Sequence, residues 1–509
     1  MREVERKYEV PPEFALSAEH LPADLTLGEP VEHTLTATYY DTPDLRLVRD
    51  RVTVRRRTGG KDDGWHVKRP VAADERDEIQ LPPGRSTVVP ARVSAEVRAL
   101  TRGAKLRPVL RLTTVRTERP LLGPGGEVVA SVADDTVSST TLGERATAQQ
   151  WREVEVELAE GADRKLLKVL DKAMRRAGAS PSASVSKLAR GLDGQRPAEP
   201  PAPPAGSAAA VAGAYLRQQR DALVTLDPRV RRDEPDSVHK MRVATRRARS
   251  TLKTFRPLWD RIEADRLRGE LKWLAETLGG VRDAEVLDRR ITAALEREPA
   301  DLVIGPVAAR LSGRLRGETA RHRRALISAL DGRRYATLLE DLDELLAAPV
   351  SARGAQPAGD AVRKRVRAAV RDVDGLIEAS MRAEDAPERP RTEPLPGVLD
   401  PDEALHEARK AAKRARYAAE AAVPVGGAEA TALAAAMEDV QELLGGHQDS
   451  VVTRALLREA ALAAYAAGEN TFTYGRLHAQ QELSVSSVAA DLPAARAAYR
   501  TKKITKWLG

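Results

Sequence analysis

The feature that most constrains this chain is a basic segment that occurs twice. The first copy, HKMRVATRRARS, begins at His239, and the second, HEARKAAKRAR, begins at His406, 167 residues later. A second shared phrase follows each copy: LGGVRD begins at Leu278 and LGGHQD begins at Leu444, 166 residues later. Two phrases that recur in the same order and at nearly the same separation predict a duplicated structural unit.

Each copy has the periodicity of an amphipathic helix. At about 100° per residue, the basic side chains of the first copy fall on one stripe, and Met241, Ala244 and Ala248 fall roughly opposite. Residues 240 to 253 include six Lys or Arg and no Asp or Glu, so the i,i+4 pairs typical of a solvated surface helix are missing. A single run of this kind is usually a solubilising face, but its recurrence with a His at the same register favours an anion-binding surface.

The composition narrows the class of partner. The 83 Lys and Arg exceed the 75 Asp and Glu, and their uneven placement favours a polyanion. Aromatic residues make up 3% of the chain, which leaves few stacking platforms and makes nucleic acid a disfavoured partner. The lack of cysteine excludes disulfides, thiolate catalysis and Cys-ligated metals. No secretory signal and no apolar run of about 18 residues occurs, so we expect a cytoplasmic protein without membrane association.

Changes in composition along the chain predict its domains. The first part shows β-branched residues and period-two alternation, which is typical of an antiparallel sheet or barrel. The Pro- and Ala-rich run RPAEPPAPPAGS favours an extended linker, and the remainder has a helical composition. We therefore predict an α+β protein with a strand domain at 1–195, a linker at 196–207 and a helical domain at 208–509, whose repeat halves span about 208–384 and 400–509.

Charges of both signs follow the strand pattern of the first domain. Residues i and i+2 of a strand share a face, so Glu3, Glu5 and Lys7 point one way, as do the glutamates of the run EVEVE that begins at Glu153. Such a face meets either bulk water or an internal polar cavity, and several such strands favour a closed barrel with a charged lumen. Clustered carboxylates in a lumen would bind Mg²⁺ or Mn²⁺, and nearby Arg and Lys would hold phosphate oxygens.

These residues resemble the signature of a known family. The pattern Glu3-x-Glu5-x-Lys7 is similar to the ExExK motif of the CYTH superfamily, also called triphosphate tunnel metalloenzymes, and further charged motifs follow in that family's order as far as Ser186-Lys187. The resemblance covers about residues 1 to 192. It implies an eight-stranded antiparallel tunnel that hydrolyses triphosphate-containing substrates with a divalent metal, Mg²⁺ or Mn²⁺.

The resemblance also assigns roles to individual residues. Catalysis would fall to Glu3, Glu5 and Lys7. The triphosphate would be held by Lys7, Arg55, Arg57, Lys68, Arg76, Arg111, Arg116 and Lys187. The metal side would comprise Glu3, Glu5, Asp134, Glu153, Glu155 and Glu157. Strand alternation puts the last three glutamates on one face, so which two of them are ligands stays open.

The duplicated helices resemble the CHAD domain, a helical module that often follows a CYTH domain, over about residues 208 to 509. This resemblance implies binding of inorganic polyphosphate. The residues agree with it, because two related bundles facing one another would line a groove with two cationic stripes, where the planar fork of Arg grips phosphate oxygens. The expected ligands are His239, Arg242, Arg246, Arg247, Arg249, Lys253, His322, Arg323, His406, Arg409, Lys410, Lys413, Arg414 and Arg416.

Three functional hypotheses follow. The first is a metal-dependent triphosphatase, acting on inorganic triphosphate, tethered to a polyphosphate-binding domain and associated with polyphosphate granules in the cytoplasm. The second is a non-catalytic polyphosphate-binding or scaffold protein. The third keeps the tunnel but changes its reaction to adenylate cyclisation or hydrolysis of thiamine triphosphate. The oligomeric state stays open.

Overall fold

A computed structural model of the chain describes residues 2–60, 62–72, 74–84, 86–143, 146–184, 186–193, 201–384, 401–483 and 488–509. It contains two compact units, Met1–Glu199 and Pro200–Gly509. The predicted linker at 196–207 lies partly outside the described residues, which resume at Pro201. Residues 385–400, which separate the two predicted repeat halves, also lie outside them.

The first unit is built on a closed antiparallel barrel. Its strands are β1 (Arg2–Glu9), β2 (Thr26–Leu27), β3 (Val31–Asp41), β4 (Thr53–Thr58), β5 (Gly64–Ala72), β6 (Glu75–Leu81), β7 (Arg107–Leu122), β8 (Val128–Thr141), β9 (Ala148–Leu158) and β10 (Ser180–Pro181). Eight of them pair in the order β1-β6-β5-β4-β3-β7-β8-β9, and β9 pairs back with β1. The short strands β2 and β10 add to β7 and β1. The prediction of an eight-stranded antiparallel tunnel is confirmed.

The outer face of the barrel is apolar where a helix covers it. The helices of this unit are α1 (Arg46–Arg49), α2 (Ala91–Glu96), α3 (Arg98–Thr101), α4 (Lys165–Arg176) and α5 (Lys187–Gly191). Val154 and Val156 of β9 are fully buried and pack with Leu170 and Met174 of α4. The alternate residues of β9 are the glutamates, which therefore point into the barrel. The acidic face of this strand meets an internal cavity and not bulk water.

The short helix α5 packs closely against β7. A Cβ atom on Gly191 would lie 2.8 Å from the Leu110 side chain, so glycine permits this approach. Leu188 is fully buried in the same cluster, and the Ser186 hydroxyl caps the helix by accepting a hydrogen bond from the amide of Ala189. The packing fixes the first residue of the helix, Lys187, at the barrel interior.

The regular elements described in the second unit are helical. They are α6 (Ala208–Arg231), α7 (Ser237–Thr254), α8 (Arg261–Glu296), α9 (Val307–Asp331), α10 (Arg333–Ala347), α11 (Ala358–Glu384), α12 (Pro401–Ala421), α13 (Val423–Ala466), α14 (Phe472–Leu483), α15 (Val488–Tyr499) and α16 (Lys502–Thr505). Among the described residues, no helix is both long and apolar enough to cross a membrane. The predicted combination of a strand tunnel and an all-helical region is confirmed.

The two basic segments occupy corresponding helices. The first lies in α7 and the second in α12, and the two LGG phrases lie within the following helices, α8 and α13. The apolar stripe of α7 is the buried one, since Met241, Ala248 and Leu252 are completely inaccessible to solvent. Direct packing between α7 and α12 brings the two copies of the basic segment together.

Candidate functional site

The interior of the barrel is a charged cavity of about 350 Å³. Strand alternation gathers charges there from most of the barrel strands, because every second residue of each strand points inward. Eleven of the residues predicted to act in this domain line it: Glu3, Glu5, Lys7, Arg55, Arg57, Lys68, Arg76, Arg116, Glu155, Glu157 and Lys187. The side chains therefore converge even though they are spread over more than 180 positions of sequence.

Glu155 occupies the centre of the cationic side. Arg116 and Lys187 each approach its carboxylate to 2.7 Å, and Lys7 forms a further ion pair with it. Burial alone would raise the pKa of Glu155, but Lys187, Lys7 and Arg116 outweigh it and hold that pKa well below its ordinary value. This glutamate is therefore an ionised anchor for three cations.

Lys187 connects three carboxylates of the interior. Its ammonium group lies 2.9 Å from Asp135, 2.8 Å from Glu153 and 2.7 Å from Glu155. Burial would lower the pKa of Lys187, but these neighbours raise it well above its usual range. The indole of Trp151 donates a 2.6 Å hydrogen bond to the other oxygen of Glu153. Glu153 is consequently held by protein groups on both oxygens.

A second group of carboxylates lies near the start of β1. Lys68 donates to Glu3 at 2.6 Å and lies 3.7 Å from Glu78. Arg76 lies 3.1 Å from Glu5, which Lys7 also approaches to 3.5 Å. Glu3, Glu5 and Glu78 on this side of the cavity are thus paired with Lys68, Arg76 and Lys7.

Two predicted residues lie outside the tunnel. Asp134 is on the outer face of β8, where Arg152 approaches it to 2.7 Å, and Arg111 is exposed on the outer face of β7. Asp135 takes the interior position instead: it is fully buried, lies 2.7 Å from Arg116 and faces Glu153 in the strand register. The structure thus does not bring Asp134 and Arg111 into the tunnel, because each lies on the outer face of its strand. The register of β7 could have excluded Arg111, because only residues an even number of positions from Arg116 share its face.

Several interior residues were missing from the predicted site. His66 is buried, with Nδ1 2.7 Å from Glu78 and Nε2 2.8 Å from the carbonyl oxygen of Asp62. Asp62 also forms an ion pair with Arg57, and Arg55 donates to the hydroxyl of Tyr39 at 3.4 Å. Glu78 lies two positions from Arg76 on β6 and therefore shares its face, although the resemblance gives it no role. His66 lies two positions from Lys68 on the same strand and therefore shares its face, and that spacing was the available signal.

The acidic side of the cavity offers hard oxygen ligands. The carboxyl groups of Glu3 and Glu78 are hydrogen-bonded to each other, and burial together with Glu78 raises the pKa of Glu3 to about 8. Burial also raises the pKa of Glu157. The Glu3 carboxyl, with its pKa of about 8, is crowded enough to favour a neutralising cation, and an all-oxygen set suits Mg²⁺ or Mn²⁺. Within the described part of the chain, no three acidic or histidine side chains converge as a preformed metal site.

A cationic cluster forms where α7 and α12 meet in the second unit. We call Arg242 and Arg246 of α7, with Arg409 and Lys413 of α12, the central cluster. Burial lowers the pKa of Lys413 to about 7, with further contributions from Arg409, Arg246 and Arg242. The Nε atoms of Arg246 and Arg409 are buried and have no hydrogen-bond partner among the described residues. Two cations from each copy of the repeat thus face one another.

The glycines of the two LGG phrases lie against the arginines of this cluster. A Cβ atom on Gly279 would lie 3.5 Å from the guanidinium of Arg242, and one on Gly445 would lie 3.2 Å from that of Arg409. The aspartate of the first phrase, Asp283, also accepts a 2.7 Å hydrogen bond from Arg242. In each phrase a glycine therefore lets one arginine of the cluster pack closely against the helix backbone.

Other predicted polyphosphate ligands have partners within the protein. Arg247 and Arg416 both lie 2.9 Å from Glu420. Arg323 donates to the backbone carbonyl oxygens of Val230 and Arg231, and Lys410 pairs with Glu407 at 2.7 Å. The structure does not bring these four cations into the central cluster.

The remaining predicted ligands lie around the cluster. Burial lowers the pKa of His239, as do Arg282 and Arg246. His322 lies against Gly280, at 2.5 Å from where a Cβ atom would be. His406 is half-buried on α12. The last three predicted ligands, Arg249, Lys253 and Arg414, form no ion pair with any described carboxylate.

Comparison with known proteins covers both units. The family model of the CYTH domain matches residues 1–192, and that of the CHAD domain matches residues 214–458. The protein Rv2226 of Mycobacterium tuberculosis, described as uncharacterized, is 39% identical over 498 residues, which are 94% of this chain and 92% of that protein.

Two solved structures are similar to part of the chain. PptA from Streptomyces chartreusis has 24% identity over 57% of this chain and 99% of its own, with a TM-score of 0.44. The CHAD domain from the plant Ricinus communis has 26% identity over 59% of this chain and 94% of its own, with a TM-score of 0.42.

These family assignments carry class-level properties. CYTH domains form the triphosphate tunnel metalloenzyme class, whose members are triphosphatases or cyclases that depend on a divalent metal. CHAD is a polyphosphate-binding domain. With both domains matched in order and a relative aligned along nearly its whole length, this chain belongs to the family of two-domain proteins in which a CYTH domain is followed by a CHAD domain.

Proposed function

We propose that the tunnel hydrolyses inorganic triphosphate with Mg²⁺ or Mn²⁺, and that the helical unit binds inorganic polyphosphate. The observation that carries the first part is a pair of unsatisfied donors inside a closed cavity. Arg55 and Arg57 lie on β4 and line the tunnel. Their Nε atoms are buried and have no hydrogen-bond partner among the described residues. Buried guanidinium donors require acceptors, and phosphate oxygens match their geometry.

The cations of the interior would hold the triphosphate along its length. Arg55, Arg57 and Arg116 present guanidinium groups, whose planar forks bind phosphate oxygens bidentately. Lys68 and Arg76 are paired with Glu3 and Glu5, so a substrate that binds them would compete with those carboxylates. Competition of this kind frees the acidic side for a cation at the moment that substrate enters.

The acidic side would hold the metal through Glu3, Glu5 and Glu157, with Glu78 adjacent. Of the three late glutamates, Glu153 and Glu155 are bound by Lys187, whereas Glu157 has no ion pair with any described cation. When bound, a divalent metal supplies charge neutralisation at the phosphoryl oxygens. The carboxylates fix its position, and the closed barrel limits the access of bulk water.

A substrate panel tests the tunnel assignment. We expect phosphate release from inorganic triphosphate in Mg²⁺ that exceeds release from ATP and thiamine triphosphate and that stops with chelator. Cyclic AMP formed from ATP would indicate the cyclase reaction, and preference for thiamine triphosphate would change the substrate. Absence of turnover with any of the three, in folded protein supplied with either metal, would favour a non-catalytic scaffold.

Polyphosphate binding rests on the central cluster. Four cations from two helices converge there, and burial of a lysine with a pKa of about 7 among three arginines is unfavourable unless a polyanion offsets the repulsion. A titration at fixed salt should show tighter binding of polyphosphate than of duplex DNA, because both engage through phosphate charge and only salt-matched affinities are comparable. Preference for DNA would contradict this assignment.

A further inference from the structure

One set of three corresponding positions beside the central cluster carries a different charge in the two repeats. Arg249, Lys253 and Arg414 form what we call the open triad. Adding or subtracting the repeat offset of 167 converts them to Arg416, Glu420 and Arg247, which we call the closed triad. Each triad takes two residues from one helix of the α7 and α12 pair and one from the other. The triads differ in charge only because Lys253 in the first repeat corresponds to Glu420 in the second.

The closed triad is neutralised from within. The carboxylate of Glu420 accepts a 2.9 Å hydrogen bond from Arg247 across the helix pair and another of 2.9 Å from Arg416 on its own helix. The hydroxyl of Tyr215 also donates to it. The guanidinium of Arg247 lies 5.5 Å from the ring centre of Tyr417, which adds a cation–π contact. Both arginines are therefore held in fixed positions.

The open triad has the opposite electrostatics. None of its three cations forms an ion pair or a side-chain hydrogen bond with the described residues, and Arg249 and Lys253 are exposed. Burial lowers the pKa of Lys253, with further repulsion from Arg414, Arg268 and Arg249, and Asp372 of α11 only partly opposes it. Three cations thus crowd together at the position where the other repeat has a carboxylate.

A second difference points the same way. Glu438 of α13 lies 2.7 Å from Arg416, on the closed side. At the offset of the LGG phrases, 166 residues, its counterpart in the first repeat is Lys272. The exchanges of Lys for Glu at Lys253 and Glu420 and at Lys272 and Glu438 both place the carboxylate beside the closed triad.

We propose that the open triad is a phosphate subsite that continues the central cluster on one side only, while Glu420 closes the equivalent site on the other side. This proposal rests on the polyphosphate-binding function of the helical unit. Arg249 and Lys253 continue the stripe of Arg242 and Arg246 by one and two helical turns, so a chain bound at the cluster meets further cations in that direction. In the other direction it meets paired arginines and a carboxylate. Polyphosphate is bound asymmetrically by a nearly symmetric pair of helices.

The charge exchange between the repeats provides the test. Affinity for long-chain polyphosphate and for inorganic triphosphate would be measured by calorimetry on the full chain at one ionic strength, with Glu3→Gln as the common background to prevent hydrolysis. Lys253→Glu should weaken the binding of long-chain polyphosphate about tenfold, because one charge-assisted contact is lost and a repulsive carboxylate takes its place. Glu420→Lys should strengthen it, because the closed side then carries a free cation. The double variant should return close to the starting affinity, with its open and closed sides exchanged.

A remote charge reversal controls for net charge. Lys168 is exposed on α4 of the first unit, and Lys168→Glu changes the net charge by the same amount as Lys253→Glu. Equal effects of Lys168→Glu and Lys253→Glu would overturn the subsite, as would an affinity unchanged by Lys253→Glu. Glu420→Gln removes the carboxylate charge of the closed triad without introducing a further cation. This variant should bind polyphosphate no more weakly than the parent protein, and weaker binding would indicate a folding defect. Failure of the parent protein to bind polyphosphate would instead contradict the function on which the proposal rests.

Discussion

At the scale of single residues, Lys413 is a cation of the central cluster whose charge depends on pH in the neutral range. A lysine whose pKa falls to about 7 is charged below that pH and loses its proton as the pH rises above it. A polyanion favours the charged form, so binding above pH 7 must be accompanied by proton uptake. Because the pKa of His239 is lowered, that histidine is already neutral in the same range.

This coupling predicts a pH-dependent affinity. Between about pH 7 and pH 9 the affinity for polyphosphate should fall by about tenfold in the wild-type protein, because the lysine must be recharged at a growing free-energy cost. Lys413→Arg should remove most of this dependence, since arginine stays protonated throughout. Calorimetry in buffers of different ionisation enthalpy would measure the proton uptake directly. An equally steep fall in the Lys413→Arg variant would show that another group titrates.

The residue scale also shows where sequence reasoning succeeded. The motif spacing and strand alternation predicted that Glu3, Glu5 and Lys7 would share a face, and the structure places all three in one cavity. Alternation does not separate Asp134 from Asp135, because the two aspartates are adjacent on β8 and only the register with β9 decides which one points inward. A local pattern gives the alternation of a strand but not its phase.

At the scale of elements, the packing of Arg242 and Arg409 against α8 and α13 depends on the helical glycines Gly279 and Gly445. Glycine in a helix interior is destabilising by about 1 kcal/mol relative to alanine, so its presence in α8 and α13 requires a local reason. A Cβ atom would lie 3.2 Å from Arg409 at Gly445 but 3.5 Å from Arg242 at Gly279. Only the first separation is tighter than ordinary van der Waals contact.

The glycines therefore make a matched pair of variants. Gly445→Ala should raise the melting temperature, through better helix propensity, and lower the affinity for polyphosphate by about threefold because Arg409 is displaced. Gly279→Ala should raise the melting temperature with little change in affinity. Thermal unfolding and calorimetry on both variants distinguish these effects. A loss of stability in Gly445→Ala would mean that the contact is too tight to relax by movement of the arginine.

Elements differed in how far the sequence could predict them. The repeat of the basic segments and LGG phrases was sufficient to predict two related sets of helices, because it does not depend on propensity. Strand β3 has a weak sequence pattern, since its threonines and alanine interrupt the apolar alternation although Leu35 and Tyr39 face inward. The closed triad could not be predicted either, because the partner of Arg247 is 173 residues away and only packing of α7 on α12 brings Glu420 to it.

At the scale of the whole molecule, the two proposed phosphate-binding sites differ in construction. The tunnel combines cations with carboxylates in a closed interior, as expected of a site that holds a metal and a short substrate. The helical unit presents cations from both copies of a repeat. The carboxylates that pair with its central cluster, Asp283 and Asp449, belong to the two LGG phrases and contact Arg242 and Arg409. We infer that the first site performs chemistry and that the second binds a long chain without cleaving it.

The measurement that tests this division most directly is a comparison of two variants of the full chain in two assays. Glu3→Gln should reduce Mg²⁺-dependent hydrolysis of inorganic triphosphate by about a hundredfold and leave polyphosphate affinity unchanged. The double variant Arg246→Ala/Lys413→Ala should weaken polyphosphate binding by about a hundredfold and leave hydrolysis of triphosphate intact. If the folded double variant lost hydrolysis as well, or if Glu3→Gln hydrolysed triphosphate at the wild-type rate, the assignment of chemistry to the tunnel alone would be contradicted.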